Sequence, residues 1–178
     1  MKRFGLVLLA VMALVVAAHP ASAQSIRWGV GAGLLMPMGN YGDADKMGYT
    51  AGLGGTYNLA SGVGIRADVS YGTSSEKSGI AAHDTKIMGG MASVVYSFAS
   101  AGVKPYVLGG LGLSNVKFSA GGTDQSETKV SFGFGAGVAF PLGTGGNRLF
   151  AETRYTSVST SGSSVTFLPL VVGISFGK

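Results

Sequence analysis

The sequence predicts an all-β chain: an eight-stranded antiparallel up-and-down transmembrane β-barrel. Three observations predict it. Large apolar side chains alternate with glycine, serine and threonine at period two through most of the chain. Charged residues make up 12% of the 178 positions, where soluble domains carry about 25%. Long and short connections alternate between the candidate strands, as they do in barrels that cross a membrane.

The chain opens Met1-Lys2-Arg3, runs uncharged from Phe4 to Ala18, and reaches Ala21-Ser22-Ala23 before Gln24. A basic start, an apolar stretch shorter than the roughly 20 residues of a membrane-spanning helix, and a small-residue cleavage site describe a secretory signal peptide over 1–23. Residues 24–178 then form one barrel domain. Without Lys2 and Arg3, eleven Lys and Arg face eight Asp and Glu, a net charge of +3. No basic stripe is interleaved with aromatics, so nucleic acid is not an expected partner. The absence of cysteine excludes disulfides, thiolate chemistry and lipid attachment at an N-terminal Cys.

Each strand follows from its alternation. The first sets Ile26, Trp28, Val30, Ala32, Leu34 and Met36 against Arg27, Gly29, Gly31, Gly33 and Leu35. The second sets Tyr49, Ala51, Leu53, Tyr57 and Leu59 against Thr50, Gly52, Gly54, Thr56 and Asn58. In the third, Ile65, Ala67, Val69 and Tyr71 oppose Gly64, Arg66, Asp68 and Ser70. The fourth, near Thr85 to Phe98, places Met88, Ala92, Val94, Tyr96 and Phe98 opposite Gly89, Ser93 and Ser97. The fifth, Lys104 to Phe118, is ambiguous: Tyr106 and Leu108 have one parity, Leu111 and Leu113 the other, and a bulge near Gly109-Gly110 would reconcile them. The sixth sets Val130, Phe132, Phe134, Ala136, Val138 and Phe140 against Ser131, Gly133, Gly135, Gly137 and Ala139. The seventh sets Leu149, Ala151, Thr153 and Tyr155 against Glu152 and Arg154, and the eighth closes the chain with Leu168, Leu170, Val172, Ile174 and Phe176 on one face.

Long connections are expected over Pro37–Gly48, Ser74–Asp84 and Ser119–Glu127, and tight turns at Ala60–Gly62, Ala99–Gly102 and Leu142–Asn147. The last loop, Ser159–Ser164, is short. Glycines and hydroxyls make a poor solvated exterior but fill a narrow eight-stranded lumen, so the bulky face meets lipid. Lipid offers backbone groups no partners, and the sheet must close on itself.

Aromatic residues fall near strand ends, with Trp28, Tyr57 and Tyr106 toward the turns and Tyr49, Tyr71 and Tyr155 toward the loops. Two girdles seated at the membrane interfaces are expected from them. Arg66, Asp68, Glu152 and Arg154 project into the lumen, where unpaired charges are costly. A structural salt-bridge network is the expectation, a proton or ion path the alternative. No cofactor is expected, and one mature histidine, His83, makes a zinc site improbable. Asp43, Asp45 and Asp124 sit among turn residues without the spacing of a calcium loop. The strings GVGAG and GFGAG lack the helix and the Lys-Ser/Thr pair of a nucleotide loop.

KPYVLGGLGL (104–113), FGFGAGVAFPLG (132–143), LFAETRYTSV (149–158) and LPLVVGISF (168–176) together resemble the C-terminal strands of small bacterial outer-membrane β-barrel proteins, the eight-stranded type of outer-membrane proteins A and X. The resemblance covers essentially the whole mature chain and implies insertion in the outer membrane. It implies contact with outer-membrane lipids and lipopolysaccharide, passage by way of periplasmic chaperones and the barrel-assembly machinery, and a monomer. Phe176 matches the terminal aromatic that the machinery reads, though Gly177 and Lys178 follow it here. Some barrels of this type modify lipid A with a His and a Ser; His83 stands beside Asp84, but no nucleophile has an identifiable orienting partner. The functional expectation is a structural or adhesive role carried by the three long loops, without catalysis. Binding or passage of small hydrophobic solutes is the alternative, followed by a lipid A-modifying enzyme and a soluble periplasmic barrel.

Overall fold

A computed structural model describes residues 26–75, 83–100, 102–120, 123–159 and 164–177. The predicted leader, 1–23, lies outside these described residues. Eight strands follow one another: β1 (Ile26–Met38), β2 (Gly48–Asn58), β3 (Val63–Ser75), β4 (His83–Ser97), β5 (Lys104–Ala120), β6 (Thr123–Pro141), β7 (Arg148–Ser159) and β8 (Ser164–Phe176). A short helix, α1 (Gly39–Ala44), joins β1 to β2, and a 3-10 turn over Ala60–Gly62 joins β2 to β3. Each strand pairs antiparallel with the next, and β1 pairs with β8 from Trp28↔Phe176 to Met38↔Thr166, which closes the barrel.

The faces are oriented as the alternation requires. Val30, Leu53, Phe134 and Ile174 are 52%, 56%, 59% and 46% exposed on the outer wall, far above what a soluble core allows. Burying none of these residues inside leaves a continuous apolar belt, which only a lipid surrounding makes favourable. The interior is narrow and filled. Toward the end opposite the tight turns, Leu35, Tyr41, Ile87, Val116, Val158, Val165 and Phe167 form one apolar cluster. Toward the turns, Val95, Tyr106, Leu108 and Ala139 form a second, with Phe150 against it.

Strand β5 departs from expectation. Its register with β4 and β6 is unbroken from Lys104↔Ala139 to Ala120↔Thr123, so no bulge interrupts it at Gly109-Gly110. Tyr106 and Leu108 point inward and are buried, while Val107 and Leu111 point outward and are exposed. The change in which parity carries bulk has a packing cause. Tyr106 lies opposite Gly137 and Leu108 opposite Gly135 on β6, so the inward bulk of one strand fills space vacated by glycine on its neighbour.

The connection expected over Ser119–Glu127 is mostly strand as well: β5 and β6 continue to Ala120 and from Thr123. β4 extends beside them, with His83 opposite Ala120, so His83 begins a strand instead of lying in a loop. These three strands run on beyond the rim set by β7, whose pairing with β6 starts at Ser131↔Val158. Their lengths of 17 and 19 residues for β5 and β6 exceed the ~9–11 that cross a bilayer.

One interruption occurs in the wall. The β7–β8 ladder steps from Thr153↔Leu170 to Thr156↔Phe167 without a pair between. Pro169, which has no N–H to donate, falls in this gap. The Thr153 hydroxyl donates to the Pro169 carbonyl at 3.1 Å beside this gap.

Candidate functional site

Four charged side chains from opposite walls meet in the lumen. Arg66 and Asp68 come from β3, Glu152 and Arg154 from β7, and in each strand the two lie on the inward parity. Arg154 grips Asp68 with both terminal nitrogens, Nη1 to Oδ2 and Nη2 to Oδ1, each at 3.1 Å. Its Nη2 also donates to Glu152 Oε1 at 3.0 Å, and Arg66 Nη1 donates to Glu152 Oε2 at 2.5 Å. Glu152 therefore bridges the two arginines, Asp68 is held by Arg154 alone, and the two walls are joined. The fork of Arg suits this two-sided contact better than the point charge of Lys.

Neighbouring residues complete the set. Arg66 Nε donates to Thr56 Oγ1 at 3.0 Å, and the Tyr106 hydroxyl donates to Glu152 Oε2 at 2.8 Å. The Arg66 guanidinium lies 5.4 Å from the Tyr106 ring centroid, within cation–π range. Arg154 Nη1 is 3.3 Å from the Met91 sulfur. Every side chain of the quartet is at most 19% exposed, so these bonds are made in a poorly solvated interior where leaving one unmade is expensive.

Tyr106 corrects the expected girdle. It is 5% exposed and belongs to the lumen, because Gly137 leaves room for the tip of its ring: a Cβ at Gly137 would collide with Tyr106 Cζ. Of the other girdle candidates, Trp28, Tyr49 and Tyr71 are exposed on the outer wall. Tyr57 and Tyr155 are partly covered, and Tyr155 stacks on the outward Phe134 at 5.1 Å between centroids. Trp28 lies over Gly55 in the same manner as Tyr106 over Gly137, its ring 3.2 Å from where a Cβ would be. Phe176 is exposed on the outer wall opposite Trp28. Tyr106 was legible as a lumen residue only through the glycine at Gly137, since its parity alone conflicted with Leu111.

A second polar set closes the end opposite the turns. The buried Asp45 accepts from Ser74 Oγ at 2.6 Å, which leaves the Tyr41 hydroxyl to donate to Ser74 at 2.6 Å. Tyr41 comes from α1, which folds over the mouth and drops the ring into the upper apolar cluster. Burial, offset in part by the Ser74 bond and reinforced by the charge of Asp45, pushes the Tyr41 hydroxyl up to about 12. The Asp43 backbone lies within α1, whereas the side chains of His83 and Asp124 lie outside the described residues.

A closed barrel with lipid-facing bulk and a charged, filled lumen defines an integral membrane β-barrel. The chain belongs to the family of the outer membrane protein beta-barrel domain, whose model matches residues 6–176. It is a protein of the bacterial outer membrane. Among solved structures it is similar to Neisserial surface protein A, with 22% identity, a TM-score of 0.63, and 88% of this chain and 98% of that one covered. It is also similar to Ail of Yersinia pestis in complex with the heparin analogue sucrose octasulfate, with 23% identity, a TM-score of 0.53, and 86% and 97% covered. OprG of Pseudomonas aeruginosa aligns at 14% identity and a TM-score of 0.57, with 87% and 95% covered. At these identities the likeness is one of fold. A comparison with the curated proteins finds no match.

Proposed function

We propose that this barrel is a monomeric, non-catalytic surface protein that acts through its outward end by engaging a partner outside the cell. One observation carries the reading: the ribbon of β4, β5 and β6 rises past the rim set by β7. Residues Thr123–Val130 of β6 pair with β5 on one side, and among the described residues no strand pairs with the other. Such an edge presents alternating N–H and C=O groups to an incoming extended segment. Its sequence, TDQSETKV, is polar and carries Asp124, Glu127 and Lys129, which discourages self-pairing while leaving the edge soluble.

The filled lumen supports the same reading over a conduit. Apolar clusters lie above and below the quartet, and the quartet itself ties the walls across the middle. The test uses cells producing the full chain and cells producing a chain in which Phe118–Gln125 is replaced by Asn-Gly, joining Lys117 to Ser126. Adherence to cultured epithelial cells and to heparin-coated plates is measured for both, heparin being chosen because the Ail relative was solved with a heparin analogue. Adherence above the empty-vector level that is lost on trimming is the expected result. Equal adherence by the two chains would reject the reading.

Passage of small hydrophobic solutes is the second reading. The lumenal space of about 210 Å³ and the interrupted ladder at Pro169 favour it. Planar-bilayer recording separates the two, since a plugged barrel gives no steady conductance. In the proposed biogenesis, chaperones deliver the chain and the assembly machinery reads Phe176; Phe176→Ala then lowers the heat-modifiable fraction. Lipopolysaccharide packs against the outer wall, and His83→Ala leaves lipid A composition unchanged.

A further inference from the structure

The quartet balances its own charge, two arginines against two carboxylates. Three more cations face inward at the opposite mouth, on the side of the tight turns, and have no such balance. Arg27 is the second residue of β1, Lys104 the first of β5 and Arg148 the first of β7, and each shares the inward parity of its strand. With Asn58 and Ser97 they border a cavity of about 260 Å³, and among the described residues no acidic side chain lines it. Arg27 Nη1 donates to the Gly146 carbonyl at 2.6 Å; among the described residues Lys104 and Arg148 make no ion pair or side-chain hydrogen bond. Arg148 is close enough to Arg27 for the two charges to repel.

The three cations come from strands that are not neighbours, so no single solvated run of sequence explains their convergence. Like charges held around one concavity with low-dielectric walls focus a positive field into it. Binding an anion there removes the repulsion and satisfies the idle donors. We propose that this periplasmic mouth is a binding site for a phosphate group. Two guanidinium forks suit the planar, bidentate capture of phosphate oxygens, and Lys104 adds a point charge. Two sources share this chemistry: a soluble phosphoryl compound of the periplasm, or the headgroup phosphate of an inner-leaflet phospholipid bent over the rim.

The experiment titrates pyrophosphate into the folded full barrel in an uncharged detergent, followed by calorimetry. Saturable one-to-one binding is expected, weakened at least tenfold in Arg148→Gln and in Lys104→Gln and unchanged in Lys86→Gln at the far end. Heat-modifiable migration on gels verifies that each variant is folded, and the single substitutions at strand ends make the comparison independent of any one variant. Repeating the titration in phosphatidylcholine nanodiscs, which carry headgroup phosphate but no net charge, separates the sources: weaker pyrophosphate binding there than in the phosphate-free detergent identifies the lipid phosphate, and equal binding identifies the soluble one. Absence of saturable binding, or affinities in Arg148→Gln and Lys104→Gln equal to that of the parent chain, would overturn the proposal.

Discussion

Tyr106 and Glu152 meet inside the barrel across a glycine. The hydroxyl donates to Glu152 Oε2 at 2.8 Å, and Gly137 stands in register with both residues, opposite Tyr106 on one side and Glu152 on the other. The ring can span an intervening strand only because that strand offers no side chain. Position, partner and spacer form one unit.

This unit predicts a coupling between Tyr106 and Gly137. Gly137→Ala places a methyl where the ring lies and should cost about 1–3 kcal/mol by overpacking. Tyr106→Phe removes one hydrogen bond to a charged acceptor, a loss of about 1.5–3 kcal/mol. In Tyr106→Ala the clash with the ring is gone and only the close approach of the new methyl to the Ala151 carbonyl, 2.8 Å, is left, so Gly137→Ala added to it should cost less than in the parent chain. Urea unfolding in lipid vesicles measures all the states, and strictly additive losses for Gly137→Ala and Tyr106→Ala would show that the ring does not depend on the glycine.

The quartet predicts an asymmetry between breaking and replacing. Arg154→Met strands Asp68 in the lumen and should destabilise the barrel by about 3–5 kcal/mol. Exchanging all four residues for apolar side chains of similar volume should cost much less, because no charge is then left alone. Substituting all four with alanine should cost more than the apolar exchange, because it leaves a cavity between the two apolar clusters.

The mouth cluster predicts an alkaline transition. Tyr41 has its hydroxyl pushed up to about 12 from an ordinary value of 10.0. A raised folded value favours the protonated ring in the folded barrel, so its stabilisation is complete below pH 10 and fades as pH rises toward 12. The stability difference between the parent chain and Tyr41→Phe should therefore shrink over that interval. A difference that stays constant to pH 12 would place Tyr41 in water.

Trp28 is the sole tryptophan of the chain and is half exposed on the outer wall. Its emission in vesicles should be blue-shifted and quenched more strongly by lipids brominated near the headgroup than by those brominated at the chain ends. Emission at the wavelength of tryptophan in water would contradict its place beside lipid.

Period-two alternation made the strands, their order and their outward faces legible, because a barrel wall has only two environments and the residues of β1, β6 and β8 separate cleanly between them. Arg66, Asp68, Glu152 and Arg154 were legible as inward residues for the same reason, and the cost of a lone charge inside a barrel required them to meet. β5 was not legible alone. Its inward bulk depends on glycines of another strand, and Tyr106↔Gly137 is a relation between strands that periodicity within one strand does not contain. The ribbon above the rim was hidden by composition: TDQSETKV reads as loop because it lacks an apolar face, yet pairing with β5 supplies backbone bonds regardless of side chain. Arg27, Lys104 and Arg148 lie far apart in sequence, and only closure of the sheet reveals that they share a mouth.

The ion pairs between β3 and β7 also have a mechanical meaning. They work as tie rods between facing walls, so the cross-section resists being squeezed into an oval when lateral pressure in the bilayer changes. With roundness secured from within, the ribbon and the connections outside the membrane are free to vary in length and sequence, and the cylinder beneath them keeps its shape.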